Sequence, residues 1–221
     1  MAARTKTITS HSERLYLQVL ALGLGIIVMW SAIAPHDLPT WFLEAGPVLI
    51  AVPLLVVTYR RFPLSQLAYG MIWLHAVILL IGAHYTYAEV PLFNWLRDSY
   101  ALDRNHYDRL GHIAQGFFPA IVAREVLLRR SPLQPGKWLF FFVVCFCLAF
   151  SALYEMIEWW VALAAGEGAV AFLGTQGDPW DTQWDMFLAL LGAISSLLLL
   201  SKIHDRSLSA VRALTPNTRL R

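Results

Sequence analysis

The sequence predicts an all-α, polytopic membrane protein, a bundle of six transmembrane helices with both termini in the cytoplasm. Three observations support this prediction. The 221-residue chain is 57% hydrophobic and only 14% charged, whereas soluble domains are about one-quarter charged. The chain contains several apolar segments of about 20 residues, which is the length that crosses a bilayer. Its basic residues gather at one end of these segments.

We predict the membrane helices at residues 15–34, 41–59, 65–84, 108–128, 138–163 and 184–203. Together they form one transmembrane domain, residues 15–203. A cytoplasmic tail at 1–14 precedes the domain, and a basic cytoplasmic tail at 204–221 follows it. The apolar run of the first helix is too long for a cleaved signal peptide, so we expect this helix to be retained. Pro47 and Pro53 should kink the second helix, which neighbouring helices can accommodate.

Two connections on the predicted outer side are longer than the others. Residues 85–107 are rich in Tyr, Trp and Phe, which is typical of a segment at the membrane interface, and residues 91–100 could form a short interfacial helix. Residues 164–180 contain four glycines. This second connection could fold over a site as a lid, or it could be an ordinary loop.

The distribution of charge sets the predicted orientation. Of the 17 Lys and Arg residues, 14 lie at the end that contains the N-terminus, and only Arg97, Arg104 and Arg109 lie at the other end. The positive-inside rule therefore places both termini in the cytoplasm. Of the 15 acidic residues, 12 lie in the outer half or outside. Because the basic residues act as topological anchors, we exclude nucleic-acid binding.

Three pairs of ionisable residues lie near the outer ends of three different helices. They are Asp108 with His112, Glu155 with Glu158, and Asp181 with Asp185. Residues three or four apart share one face of a helix, and small or polar residues continue each face, as they do where membrane helices pack together. We therefore predict that the pairs converge in one outward-opening polar pocket, with Asp181 at its rim.

Structural explanations stay open for several of these residues. Asp178 followed by Pro179 is typical of a helix start. A role in capping the helix would therefore account for Asp178, and a place in the first turn could account for Asp181. Asp108 could likewise cap the fourth helix. Glu155 and Glu158 could pair with Arg104 or Arg109. Spacing does not decide the roles of four further residues: His36, His75, His84 and Glu44.

Carboxylates packed this closely in a bilayer require protons, a cation or a basic partner. Carboxylate and imidazole ligands together suit Zn or Mn, and carboxylates alone suit Mg, although no diagnostic metal motif is present. The predicted metal ligands are Asp108, His112, Glu155, Asp181 and Asp185. The predicted catalytic acid–base residues are Glu155, Glu158 and His112.

Two segments carry a resemblance to a known family. The segments Tyr154-Glu155-Met156-Ile157-Glu158-Trp159 and Leu173-Gly174-Thr175-Gln176-Gly177-Asp178-Pro179-Trp180-Asp181-Thr182-Gln183-Trp184-Asp185-Met186 resemble the uncharacterised bacterial inner-membrane family typified by YjdF. This resemblance implies a bacterial inner-membrane location and a similar architecture over nearly the whole chain, and it implies no activity.

A looser resemblance extends to VanZ-like membrane proteins. Asp108-Arg109-x-x-His112 is similar to the Asp-Lys-x-x-His of those proteins, and Glu155-x-x-Glu158 is similar to their Glu-x-x-Gln. Asp185 also matches, but Ala189 stands where those proteins have Asn.

Three functions remain open on the sequence alone. The first is a divalent-metal-dependent enzyme or binder that acts on an envelope lipid or a lipid-linked substrate, with membrane lipids as its partners. The second is a proton-coupled carrier, because intramembrane acids and His also form proton relays. The sequence predicts few ionisable residues in the inner half of the bundle and shows no internal repeat, and both observations argue against a carrier. The third is an accessory protein whose polar residues only fix the packing of the helices.

Overall fold

The computed structural model describes residues 11–165 and 175–214, which form seven α-helices and one short 3-10 turn and contain no β-strand. The helices are α1 (His11–Ala32), α2 (Leu38–Thr58), α3 (Gln66–Tyr85), α4 (Pro91–Tyr100), α5 (Tyr107–Arg130), α6 (Lys137–Ala165) and α7 (Asp181–Leu214); the 3-10 turn is Tyr87–Glu89. The prediction of an all-α fold is confirmed.

Five of the described helices, α1, α2, α3, α6 and α7, are long and apolar enough to cross a membrane. The sixth long helix, α5, has 24 residues, but its charged residues near both ends lower its mean hydropathy below that of the other five. The count of six spans and the cytoplasmic placement of the termini therefore stay predictions. The short helix considered at residues 91–100 is present as α4.

Helix α7 extends beyond the predicted membrane segment at 184–203 at both of its ends. The turn at residues 178–180 precedes α7, which begins at Asp181, so Pro179 lies outside the helix. At its other end α7 continues to Leu214, well into the predicted tail at 204–221, because Leu208 is buried against α5 and α6 and extends the packed face. Most of the 164–180 connection, including any lid, lies outside the described residues.

Local sequence signals account for several helix starts. The side chain of Asp37 accepts a hydrogen bond from the backbone N–H of Thr40 at 2.8 Å, and a proline opens α2. Ser65 caps α3 in the same way through Ala68 N–H at 3.3 Å. The side-chain oxygen of Asn105 accepts from Tyr107 N–H at the start of α5. Each cap satisfies backbone donors that have no partner within the helix.

Helix α5 is the centre of the bundle. It packs most extensively against α7 and also contacts α3 and α6, while α1 and α2 each pack against α3. We call the end of the bundle that holds α4 and the starts of α5 and α7 the acidic end. The opposite end, with the end of α5 and the start of α6, is the basic end. The 14-to-3 distribution of Lys and Arg predicts that the acidic end faces outward.

The contact between α5 and α7 depends on two glycines. A Cβ atom placed on Gly116 of α5 would overlap the backbone carbonyl of Ala189 in α7, and one placed on Gly192 of α7 would overlap the carbonyl of Ile113 in α5. The two backbones therefore touch, as they do where small residues line membrane helix interfaces. Gly116 lies one turn from His112, and Ala189 lies one turn from Asp185. The close contact thus brings the two polar pairs of these helices together.

We expect Gly116→Ala to destabilise the protein by about 1–3 kcal/mol, because the added methyl group forces two packed backbones apart. Gly25→Ala is the matched control, since a Cβ there meets nothing within 4 Å among the described residues, and we expect it to cause no loss. Thermal unfolding in detergent measures both. Equal stability of the two variants would contradict the proposed backbone contact.

The predicted orientation can be tested by cysteine labelling in a background without Cys145 and Cys147. Tyr100→Cys, on the exposed surface of α4, should react with an impermeant maleimide added to intact cells or spheroplasts. Gln134→Cys, in the turn at the basic end, should react only after the membrane is permeabilised. The opposite pattern would invert the topology.

Candidate functional site

His112 is the centre of a cluster of acidic side chains at the acidic end of the bundle. It is 5% exposed. Its Nε2 atom lies 3.4 Å from Asp108 Oδ1 and 3.8 Å from Asp185 Oδ1. Its Nδ1 atom lies 3.2 Å from Gln115 Oε1 and 3.9 Å from Glu155 Oε1. Both edges of the imidazole therefore face oxygen atoms, contributed by three different helices.

Two of these carboxylates keep an oxygen without a hydrogen-bond partner. Glu155 Oε1 and Asp185 Oδ1 are buried and accept no hydrogen bond from any described residue. Glu155 is 7% exposed and Asp185 is 2% exposed. A buried carboxylate oxygen without a donor carries a large desolvation cost. Glu155 Oε1 lies 3.9 Å and Asp185 Oδ1 lies 3.8 Å from a nitrogen of His112, so both oxygens face the same imidazole.

Two groups of side chains in the cluster have the spacing of metal ligands. The first is Asp108, His112 and Asp185; the second is His112, Glu155 and Glu158. Within each group, one ligating atom from every residue lies within 4.8 Å of the others. His112 belongs to both groups, so the two share one imidazole.

Two arginines balance part of this acidic charge. Arg104 is buried and pairs with Asp181, with Asp108 at 3.4 Å and with Asp178 at 3.7 Å. Arg109 pairs with Asp178 at 3.0 Å, and its guanidinium lies 5.2 Å from the centre of the Trp184 ring. Asp181 was predicted at the rim of the pocket; it is instead buried beneath Arg104, at 5% exposure.

His106, just before α5, adds no fixed positive charge to this arrangement. Partial burial, followed by the nearby guanidiniums of Arg109 and Arg104, lowers the pKa of His106 below its ordinary value. The imidazole is therefore neutral near pH 7.

A tight turn closes the cluster on the side of the second outer connection. Asp178 N–H donates to Thr175 O at 2.9 Å, and the two residues between them have positive φ, 48° at Gln176 and 86° at Gly177. Such a turn suits Gly and is strained for Gln. The Gln176 side chain accepts from Asn105 N–H and donates to Asn105 O, both at 2.9 Å. Arg104 also donates to Thr175 O. This Thr-Gln-Gly-Asp segment thus joins the two outer connections.

A cavity of about 430 Å³ begins at the cluster. It extends along a single face of α5 from Asp108 and His112, past Pro119, to Leu127. Helices α2, α3 and α6 supply the remaining walls. Most of its polar groups lie at the acidic end, His75 lies midway along α3, and the rest of the lining is predominantly apolar.

The cavity contains polar residues whose role the sequence left open or did not identify. Glu44 of α2 is buried and lines the cavity, with one oxygen lacking a described partner. His75 of α3 also lines it and stacks on Phe118 at 5.9 Å. Tyr87 of the 3-10 turn and Tyr154 of α6 also line the cavity. The isolated position of each residue in the sequence gives no sign that they meet, because they come from four different elements.

His36 and His84 have structural partners at the acidic end. His36 N–H donates to His84 O at 2.8 Å, and the His84 ring contacts Ser31 O at 3.1 Å and packs on Trp30. These contacts connect the end of α1 and the residues after it to the end of α3. The helices that hold the cluster are different ones, α5, α6 and α7.

Asp108 does not cap α5, which was one of the structural explanations considered for this residue. Asp108 was considered as a cap of this helix, but the N-cap residue is His106 and Asp108 lies within the first turn, 8% exposed. Its described partners are Arg104 and His112. Asp178 does act locally as expected, because its Oδ1 accepts from Trp180 N–H at 2.9 Å.

A second buried ionic cluster lies at the basic end, where the sequence indicated few ionisable groups. The Glu125 carboxylate accepts from Ser65 N–H at 2.9 Å, Arg129 at 2.6 Å and His204 Nε2 at 3.1 Å. Arg124 lies 2.8 Å from His204 Nδ1. Arginine only donates, so Nδ1 accepts from Arg124 and Nε2–H donates to Glu125.

The two ionic clusters differ in how well their hydrogen bonds are satisfied. At the basic end, both oxygens of Glu125 and both nitrogens of His204 have partners. At the acidic end, Glu155 and Asp185 each leave an oxygen unpaired. A satisfied buried network stabilises a fold, whereas unpaired buried ligand atoms indicate a place where something binds. The acidic cluster is therefore the candidate functional site.

Comparison with known proteins identifies relatives of this chain. Residues 16–206 match DUF2238, a family described as predicted membrane proteins. The chain is 50% identical over 200 residues to the inner membrane protein YjdF of Escherichia coli strain K12, covering 90% of this chain and 96% of that protein. No solved structure matches significantly. The predicted family and inner-membrane location are confirmed; the resemblance to VanZ-like proteins stays a prediction.

We expect Arg104→Gln to destabilise the fold by about 3–5 kcal/mol, because it removes the cation from between buried carboxylates and leaves their charges uncompensated. Arg97→Gln is the control, since Arg97 forms an ion pair with the exposed Asp98, and such pairs contribute little. Thermal unfolding in detergent compares the two. If both substitutions were tolerated equally, Arg104 would not be the compensating cation.

Proposed function

This chain belongs to the DUF2238 family of predicted membrane proteins, and from that premise we propose that it is a divalent-cation-dependent protein that binds and modifies the polar head of an envelope lipid. It is a multi-pass protein of the bacterial inner membrane. The proposed site is the acidic cluster around His112, at the end of the bundle predicted to face outward.

The observation that carries this proposal is the grouping of Asp108, His112 and Asp185. Their ligating atoms lie within 4.8 Å of one another, and all three residues are buried. One oxygen of Asp185 lacks a described hydrogen-bond partner. Three protein ligands, with further positions left for water or substrate, are typical of catalytic metal sites. A mixed set of one imidazole and two carboxylates suits Mn or Zn better than Mg.

The Nδ1 edge of the His112 ring also supports the proposed metal site on its Nε2 side. A ligating imidazole usually donates its other N–H to an oxygen acceptor, which fixes the ring. His112 Nδ1 faces Gln115 Oε1 at 3.2 Å and Glu155 Oε1 at 3.9 Å, which leaves Nε2 directed toward Asp108 and Asp185. We assign Gln115 and Glu155 to the orientation of His112. Arg104 holds Asp181, and we assign Asp181 to charge compensation.

Glu158 is the residue best placed for proton transfer. It is half-buried on α6, lies in the second group with His112, and lines the cavity. When bound at the first group, a divalent cation would supply Lewis-acid chemistry to an oxygen of a headgroup. Glu158 is placed to exchange a proton with the headgroup or with water from the cavity side, and Glu155 is the alternative acid–base residue.

A proton-coupled carrier is the second candidate, and one observation favours it. The buried Glu125–His204 pair at the basic end supplies ionisable groups in the half where the sequence had indicated few, and His75 lines the cavity between the two ends. The satisfied hydrogen bonds of the basic cluster weigh against it, because a relay residue must exchange its partners during transport.

We expect the purified protein to contain a stoichiometric divalent metal, measured by elemental mass spectrometry. Chelation should lower its thermal stability. A site saturated at about 100 times its dissociation constant stabilises the fold by about 2.7 kcal/mol. The double variant Glu155→Gln and Asp185→Asn should remain folded and lose both the metal and the sensitivity to chelator.

The matched control is Glu89→Gln with Asp98→Asn, two exposed acids at the same end of the bundle. This control should keep the metal and the response to chelator. A wild type without metal and indifferent to chelator would overturn the proposed function. Stability that instead varied with pH through the site acids would favour the carrier.

A further inference from the structure

The cavity that begins at the acidic cluster is polar at one end and mainly apolar along the rest of its length, as an amphiphilic molecule is. At one end, Asp108, His112 and Glu158 contribute charged or polar groups. Beyond Pro119 the lining is apolar, with Val122, Val126 and other aliphatic and aromatic side chains. Asp108 and Leu127 are separated by about 28 Å along α5, at 1.5 Å per residue. This distance is close to the thickness of the bilayer hydrocarbon, about 30 Å.

The apolar part of the cavity opens sideways. Four of its lining residues are also exposed on the surface of the bundle: Leu54 of α2, Val126 of α5, and Phe146 and Phe150 of α6. Helix α2 packs on α3, whereas α6 packs on α5 and α7. The gap between α2 and α6 therefore faces the surroundings of the bundle, which in a membrane protein are lipid chains.

We propose that this cavity binds one hydrocarbon chain of a phosphate-bearing membrane lipid, which enters between α2 and α6 with its phosphate at the His112 cluster. The inference rests on the proposed cation site, because a phosphate approaches buried carboxylates only when a cation lies between them. The volume of about 430 Å³ is within the range of ligand pockets. The chain remains in an apolar environment throughout its entry, so it crosses no water.

Glu44 and His75 fit this occupant as well. Both line the cavity, Glu44 from α2 and His75 from α3, and each has a buried polar atom with no described hydrogen-bond partner, Glu44 Oε2 and His75 Nε2. Glu44 lies on the acidic half of α2, where the polar linkage next to the phosphate would be placed. These atoms are available to hydroxyl or ester groups between the head and the chain.

The test uses the full-length protein in liposomes and a phosphatidic acid that carries a diazirine in the middle of one acyl chain. After irradiation, peptide mass spectrometry should locate adducts on α5 between Pro119 and Leu127 and on α6 near Phe146. Val126→Trp should reduce this labelling about tenfold by filling the chain site. Val56→Trp, an exposed residue of α2 outside the cavity lining, should leave it unchanged.

Leu54→Trp, on the opposite side of the lateral opening, provides a second blocking variant if Val126→Trp fails to fold. Equal labelling of the blocked and control variants would overturn the chain site.

A diacylglycerol with the same diazirine chain tests whether the site requires a phosphate. We expect it to label the cavity about tenfold less than phosphatidic acid does. Equal labelling by the two lipids would overturn the requirement for phosphate. Excess inorganic phosphate should not displace the lipid probe; displacement of the probe would indicate a site for free phosphate.

Metal content is measured on the same samples, so the two proposals fail in different ways. Val126→Trp should keep the metal while losing the acyl-chain adducts. Glu155→Gln with Asp185→Asn should lose the metal and the preference for phosphatidic acid over diacylglycerol. Adducts in the cavity from a metal-free wild type would contradict the proposed function and leave the chain site standing. Bound metal with no adducts in the cavity would contradict the chain site and leave the proposed function standing.

Discussion

The backbone contact between α5 and α7 determines how Asp108 and His112 of one helix meet Asp185 of the other. Gly116 and Gly192 allow each helix to approach a carbonyl of the other, and this approach occurs one turn below His112 and Asp185. Any side chain at either glycine would separate the helices and move the imidazole away from the carboxylate. Because membrane helices gain little from burying apolar surface against each other, close packing of this kind supplies much of their association.

Charge compensation is the second constraint, and it explains the form of the outer connections. The close contact forces several carboxylates into a small buried volume, where their repulsion is strong. Arg104, in the connection before α5, lies between Asp108 and Asp181. The strained turn at Gln176 fastens the second connection to Asn105, beside this arginine. The connection before α5 thus supplies Arg104, the buried cation of the cluster, and the second connection holds it in place.

The contrast between the two ends of the bundle separates stability from function. Glu125 and His204 form a network in which each polar atom has a partner, and this network joins α3, α5 and α7 at the basic end. The acidic end holds more ionisable groups and leaves an oxygen of Glu155 and an oxygen of Asp185 without a described hydrogen-bond partner. The cavity also begins at this end. Buried carboxylate oxygens without a hydrogen-bond partner, beside an apolar cavity, favour the binding of an amphiphile over a purely structural role.

The sequence by itself determined the all-α architecture, the positions of the long helices and the polar pairs, since apolar length and three-or-four-residue spacing are local properties of the chain. It also indicated the convergence of Asp108, His112, Glu155 and Asp185, through the small residues that continue each face. Only the tertiary structure decided that Arg104 buries Asp181, that Glu125 meets His204, and that Glu44 and His75 share a cavity with the cluster. Those contacts join residues about 30 to 80 positions apart or more on different helices, and spacing along one helix carries no information about them.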